Sequence, residues 1–238
     1  TPDEDPGGDD MATRYFTRAT FDLLKDLEEN NNRTWFQENK HRYEEHVRDS
    51  SIRFITDFGP RLKKISEHFR ADPRTVGGSL FRIYRDTRFS KDKRPYKTMI
   101  GIHFRHELGK DAHAPGFYLH IERNGCFVGA GIWHPDSKSL HGIRSAIVED
   151  PQAWKRATGG KRFRDLYALE GDRLKRPPRG FDPAHPLIEE LKRKDFIGVA
   201  KIPQKMITGP DLTREIANIF TAATPVARFL CGALAAPF

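Results

Sequence analysis

Residues 116–133, GFYLHIERNGCFVGAGIW, decide how the rest of the chain is read. Apolar and polar side chains alternate on both sides of Asn124-Gly125, the pattern of two half-buried strands joined by a tight turn. An Asn-Gly pair between such segments predicts a two-residue type I′ hairpin, which sets the register. On that reading one face pairs Arg123 with Cys126, Ile121 with Val128, Leu119 with Ala130 and Phe117 with Ile132. The other face sets Glu122 against Phe127, His120 against Gly129, Tyr118 against Gly131 and Gly116 against Trp133. The first face is apolar and belongs to a core. The second places two glycines opposite Tyr118 and His120, which leaves room above the sheet for a ligand or another segment.

Upstream, residues 98–105 (TMIGIHFR) and 80–89 (LFRIYRDTRF) carry the same period of two and extend the hairpin into an antiparallel meander. In the 80–89 strand, Phe81, Ile83 and Phe89 would face the core, with Arg82, Tyr84, Asp86 and Arg88 opposite. Before residue 80 the period is helical. Phe21, Leu24 and Leu27 form one stripe, and Trp35, Phe36, Tyr43 and Val47 a second that continues to Phe58. Gly59-Pro60 is expected to end that helix and Pro60 to start another. After residue 136 the helical period returns at Leu140, Ile143 and Ile147, and residues 152–168 read as a helix broken at Gly159-Gly160. A strand fragment and loop over 171–183, a short helix from Pro186 to Lys192, a strand over 196–202 and C-terminal helices from Pro210, broken at Pro225, complete the chain. The class is α+β: a mostly antiparallel sheet packed against N-terminal and C-terminal helices.

The chain has 238 residues, 37% hydrophobic and 31% charged, enough for a sizeable core. Residues 1–12, acidic and Pro/Gly-rich, read as a disordered tail, and residues 13–238 as one α+β domain. No stretch is long and apolar enough to cross a membrane. Two cysteines, Cys126 and Cys231, allow neither a disulfide framework nor a cysteine zinc site, so reduced thiols and a cytoplasmic setting are expected. The net charge is +8, to which five acids in residues 1–10 contribute −5, leaving +13 for residues 11–238. An excess of that sign favours a phosphorylated ligand, nucleic acid or an acidic partner.

That charge is concentrated. Residues 82–97 hold seven bases (Arg82, Arg85, Arg88, Lys91, Lys93, Arg94, Lys97) and two acids, Asp86 and Asp92. Arginines on an open strand face, followed by a lysine-rich turn, are suited to holding phosphate or carboxylate. A ladder of surface ion pairs around Asp86 would give the same pattern. The candidate ligand-binding set is therefore Arg82, Arg85, Arg88, Lys91, Lys93 and Lys97, with Tyr118 and Trp133 lining the floor. His120, oriented by Glu122 or Asp86, is the candidate acid/base, with Asp86 its alternative. His103, His120 and Glu122 form a weaker alternative as a two-histidine, one-carboxylate metal site. No phosphate loop, dinucleotide fingerprint, GxSxG elbow or HExxH helix occurs, and no cofactor is indicated.

The runs FRIYRDTRFSKDKRPYKT (81–98), GFYLHIERNGCFVGAGIW (116–133) and GFDPAHPLIEELKRKDF (180–196) resemble the bacterial and fungal family catalogued as domain of unknown function 2461. The resemblance covers nearly all of residues 15–235. It implies one domain and defines no catalytic residue, cofactor or substrate. The residues themselves favour an anionic small-molecule site, with a hydrolase or transferase as its catalytic form. A non-catalytic module for nucleic acid or an acidic protein is the alternative.

Overall fold

Apolar residues alternating along residues 99–106, 116–122, 127–132 and 196–201 assemble the sheet that organises the molecule. The computed structural model describes residues 13–109 and 114–238, so the tail expected over 1–12 lies outside the described residues. The N-terminal part is helical: α1 (Arg18–Glu29), α2 (Arg33–Glu38), α3 (Lys40–Tyr43), a π-helical segment (Glu44–Asp49) and α4 (Ser50–Ile65). The strands β1 (Phe69–Arg70), β2 (Met99–His106), β3 (Gly116–Glu122) and β4 (Phe127–Ile132) follow. Then come α5 (Ser137–Glu149), α6 (Pro151–Gly159), α7 (Lys161–Leu166), β5 (Ala168–Glu170), α8 (Ile188–Leu191) and β6 (Phe196–Lys201). The last elements are α9 (Gln204–Ile207), α10 (Leu212–Ala222) and α11 (Thr224–Ala233). The six strands form one antiparallel sheet in the order β1-β2-β3-β4-β6-β5.

The two sheet faces have different fates. Ile100, Ile102, Phe104, Phe117, Leu119, Ile121, Val128 and Ile132 are buried against the helices, as their alternation requires. Ring contacts join the layers: Phe58 to Phe104 at 5.0 Å, Phe117 to Phe220 at 4.8 Å and Trp154 to Phe196 at 5.6 Å between centroids. The opposite face keeps Met99, His103, Tyr118, His120, Glu122, Phe127 and Val199 only half-buried. No single helix among the described residues is long and apolar enough to cross a membrane.

Four expectations are corrected. First, the β3–β4 hairpin has no two-residue turn: Leu119 pairs with Val128, Tyr118 with Gly129 and His120 with Phe127. Asn124 and Gly125 are not among the positive-φ residues that a type I′ turn needs, and the Gly125 amide instead closes a wider turn onto the Glu122 carbonyl. The register differs from the expected one by two residues. Such a shift leaves every side chain on its own face, so the hydrophobic pattern cannot discriminate the two, and the ladder from β4 to β6 helps decide.

Second, residues 80–89 are not a strand. Only isolated bridges form, Leu80 to Ile102 and Tyr84 to Tyr96. Phe89 is 96% exposed, while Ile83 and Tyr96 are buried in a small separate cluster with Leu27 and Phe36. Seven bases in sixteen residues leave too little apolar surface to lay this segment on the sheet, and Pro95 has no amide to donate to a ladder. It folds back on itself as a lobe beside α1 and α2. Third, α4 runs through Pro60 to Ile65. Burial of Phe54, Phe58 and Leu62 on one continuous face outweighs the roughly 3 kcal/mol that an interior proline costs. Fourth, the strand fragment expected within 171–183 lies earlier, at β5, with only an isolated Arg173–Arg193 bridge beyond it.

Candidate functional site

The half-buried sheet face carries a hollow of about 920 Å³. Its apolar walls are Phe81, Tyr118, Phe127, Trp133, Ile197 and Val199. Polar groups sit among them: His103, Glu122, Arg123, Glu170 and Lys201. Alternation places these residues. Ile197, Val199 and Lys201 share a face of β6, and β6 lies beside β4, so they stand next to Phe127. The space expected above Gly129 is filled by its own chain, since a Cβ there would lie 3.2 Å from Ile197 and 3.7 Å from Tyr118. Gly131 is required for a different reason. Its φ is +131°, and a Cβ would fall on the Phe196 carbonyl oxygen, so only glycine lets β4 approach β6 there.

Along β3, Tyr118, His120 and Glu122 form a hydrogen-bonded string. The Tyr118 hydroxyl lies 3.0 Å from His120 Nδ1, and His120 Nε2 lies 3.1 Å from Glu122 Oε2. Burial, reinforced by the Glu122 charge, pushes the Tyr118 hydroxyl well above the usual phenol range, so it remains a donor. A hydroxyl donating to Nδ1 leaves Nε2–H to donate to the carboxylate, which assigns the His120 tautomer. The imidazole stacks on Phe127 at 4.4 Å and 15°. Both ring nitrogens are engaged, so His120 connects Tyr118 and Glu122, the two members of the string that line the hollow.

His103 lies over Gly116, whose Cβ position its ring occupies. Burial, and then the Arg105 charge, lower its pKa to about 4, so the ring is neutral at neutral pH. Tyr118 pairs directly with His103 across the strands, its ring centroid 6.3 Å from that of His103 and 5.9 Å from that of His120. His103, His120 and Glu122 are not gathered as ligands. No group of three or more His, Cys, Asp or Glu side chains among the described residues is placed to hold a metal ion.

Of the residues singled out as ligand-binding, Tyr118 and Trp133 line the hollow. Arg82, Arg85, Arg88, Lys91, Lys93 and Lys97 sit on the lobe instead. Asp92 takes up Arg85 at 2.6 Å and Arg94 at 2.7 Å, and Asp86 takes up Arg88 at 2.6 Å. Lys97 donates to the carbonyls of Arg82 and Tyr84, and Lys93 to that of Thr87. Arg85, Arg94 and Lys97 line a separate cleft of about 240 Å³. The Arg88 hydrogen bond lowers the Asp86 pKa to about 2, so Asp86 is an ion-paired carboxylate outside the hollow and no acid/base partner for His120.

Two features carried no signal in the chain. Lys201 belongs to a segment readable as a strand, but its place beside Phe127 depends on β6 pairing with β4. Asp195 is fully buried and accepts from the His134 amide at 2.7 Å, the His134 ring at 2.9 Å and the Asp172 amide at 3.0 Å. It thereby holds His134 at a left-handed φ of 49° and fixes the exit of β4, where Trp133 stands at the hollow.

Residues 19–229 match the family model described as conserved hypothetical protein (DUF2461). No curated protein and no solved structure matches the chain.

Proposed function

Given that this chain belongs to the DUF2461 family of conserved hypothetical proteins, we propose that it binds an anionic small molecule with a broad apolar body in the sheet-face hollow. The carrying observation is the hollow itself: about 920 Å³, walled by aromatic and branched side chains, with two cations among its polar groups. Arg123 is shared with Glu28 at 3.6 Å, whereas Lys201 has no acidic partner among the described residues. A ligand carboxylate or phosphate would complete Lys201, while Trp133, Phe127 and Val199 pack its body. A hydrolase or transferase is favoured by one observation, the Tyr118–His120–Glu122 string, through which a proton can pass between two groups that line the hollow. The unpaired thiols of Cys126 and Cys231 support a cytoplasmic setting.

Thermal-shift screening against carboxylated and phosphorylated metabolites tests the reading. A ligand at 100-fold its Kd stabilises by about 2.7 kcal/mol, a shift of roughly 5–10 °C for a chain of this size. Lys201→Glu is expected to abolish the shift, and Trp133→Ala to reduce it by more than half. A ligand that shifts both variants as it shifts the wild type binds elsewhere, and the proposal fails.

A further inference from the structure

We infer that the lobe over residues 82–94 is a docking surface for single-stranded nucleic acid, separate from the hollow. The lobe has a fixed base and an open tip. At the base, Ile83 and Tyr96 are buried, and Tyr96 stacks on Phe36 at 4.1 Å. The Asn31 side chain clamps the Tyr96 backbone from both sides, donating to its carbonyl and accepting from its amide, each at 3.0 Å. The Arg85 amide donates to Pro95, and the Lys97 amide to Ile83, which tie the two legs together.

At the tip the chemistry is cationic and aromatic. Both acids of the lobe are already neutralised, Asp86 by Arg88 and Asp92 by Arg85 and Arg94. Lys91 makes no ion pair among the described residues, Arg82 acts on Asp86 only at longer range, and Arg82, Arg88, Lys91, Lys93 and Arg94 are all exposed. Phe89 projects from the same tip with 96% of its surface in solvent, and Tyr84 is 51% exposed. The Arg88 guanidinium lies 5.8 Å from the Phe89 ring centroid. An isolated, fully exposed phenylalanine contributes nothing to folding. Beside Arg88, on a lobe that also carries Arg82, Lys91, Lys93 and Arg94, it provides a face on which a base stacks while the phosphates are neutralised. An acidic peptide would use the cations but leave the ring unexplained, and duplex DNA offers no unstacked base. The single strand is the partner that accounts for both.

The test is fluorescence anisotropy with a labelled oligothymidylate of about 20 nucleotides, longer than the roughly 4–16 nucleotides of a typical single-strand site. Five cations on phosphates give a slope of about −3.5 in log K against log salt, at about 0.7 per phosphate. Phe89→Ala is expected to weaken binding about tenfold with the melting temperature unchanged. The double variant Arg88→Ala/Lys91→Ala should flatten the slope by about 1.4. Three results each overturn the inference: no binding at about 50 mM salt, Phe89→Ala binding as wild type, or polyglutamate displacing the oligonucleotide at equal charge concentration.

Discussion

Asp195→Ala is expected to lower the free energy of unfolding by about 3 kcal/mol, because it removes a buried carboxylate that accepts from two amides and a histidine ring. The carboxylate is fully buried, and its oxygens bind the His134 amide, the His134 ring and the Asp172 amide. A hydrogen bond to a charged group contributes about 1.5–3 kcal/mol, and Asp195 makes three, one of them to a His134 ring that is 65% exposed. Gly171, at φ +102°, packs against the Asp195 side chain, so the loop after β5 and the exit of β4 are held by the same group. Urea denaturation reads the loss as a lower midpoint with an unchanged slope. A change below about 1 kcal/mol would mean that water replaces the carboxylate freely. The substitution also releases Trp133, so ligand binding in the hollow should weaken further than the stability loss alone explains.

Mild acidification should destabilise the fold through His103. Its folded pKa is lowered to about 4 by burial and by Arg105, against about 6.5 in an unfolded chain. Between those values the unfolded chain binds a proton that the folded one does not. The stabilisation is therefore complete above about pH 6.5 and is lost as the pH falls towards 4, with a total of about 3 kcal/mol. Carboxylates held low by partners, such as Asp86 by Arg88 and Glu107 by His68, lose their contribution only as the pH falls through the carboxylate range. Stability measured from pH 7 to pH 4.5 separates the two. His103→Gln should flatten the curve in that window, and a variant curve parallel to the wild type would count against a neutral buried imidazole.

What the chain discloses in advance follows from how local each determinant is. The strands at 98–105, 116–123, 126–133 and 196–202 are legible because every second residue is apolar, and they appear as β2, β3, β4 and β6. Alternation also misled. Phe81, Ile83 and Phe89 keep the period, yet only Ile83 is buried, because the intervening arginines and lysines stay in water. The Asn124-Gly125 pair marks the bend correctly, but a register shifted by two satisfies the same core, and no local rule separates them. Tyr118, His120 and Glu122 fall on one face by strand geometry alone, so their string was foreseeable. The Lys201 wall and the Asp195–His134 contact were not. The first depends on β6 inserting between β4 and β5, and the second joins residues 61 positions apart.

Val199 offers the most direct test of the claim that the sheet-face hollow is where this protein works. It is half-buried, lines the hollow and points away from the helical layer, so Val199→Trp fills the space without entering the core. Native mass spectrometry of wild type and variant, each purified from the source organism without dialysis, should show a small-molecule adduct on the wild type that the variant lacks at equal thermal stability. The same adduct on both proteins, or none on either, would contradict the account.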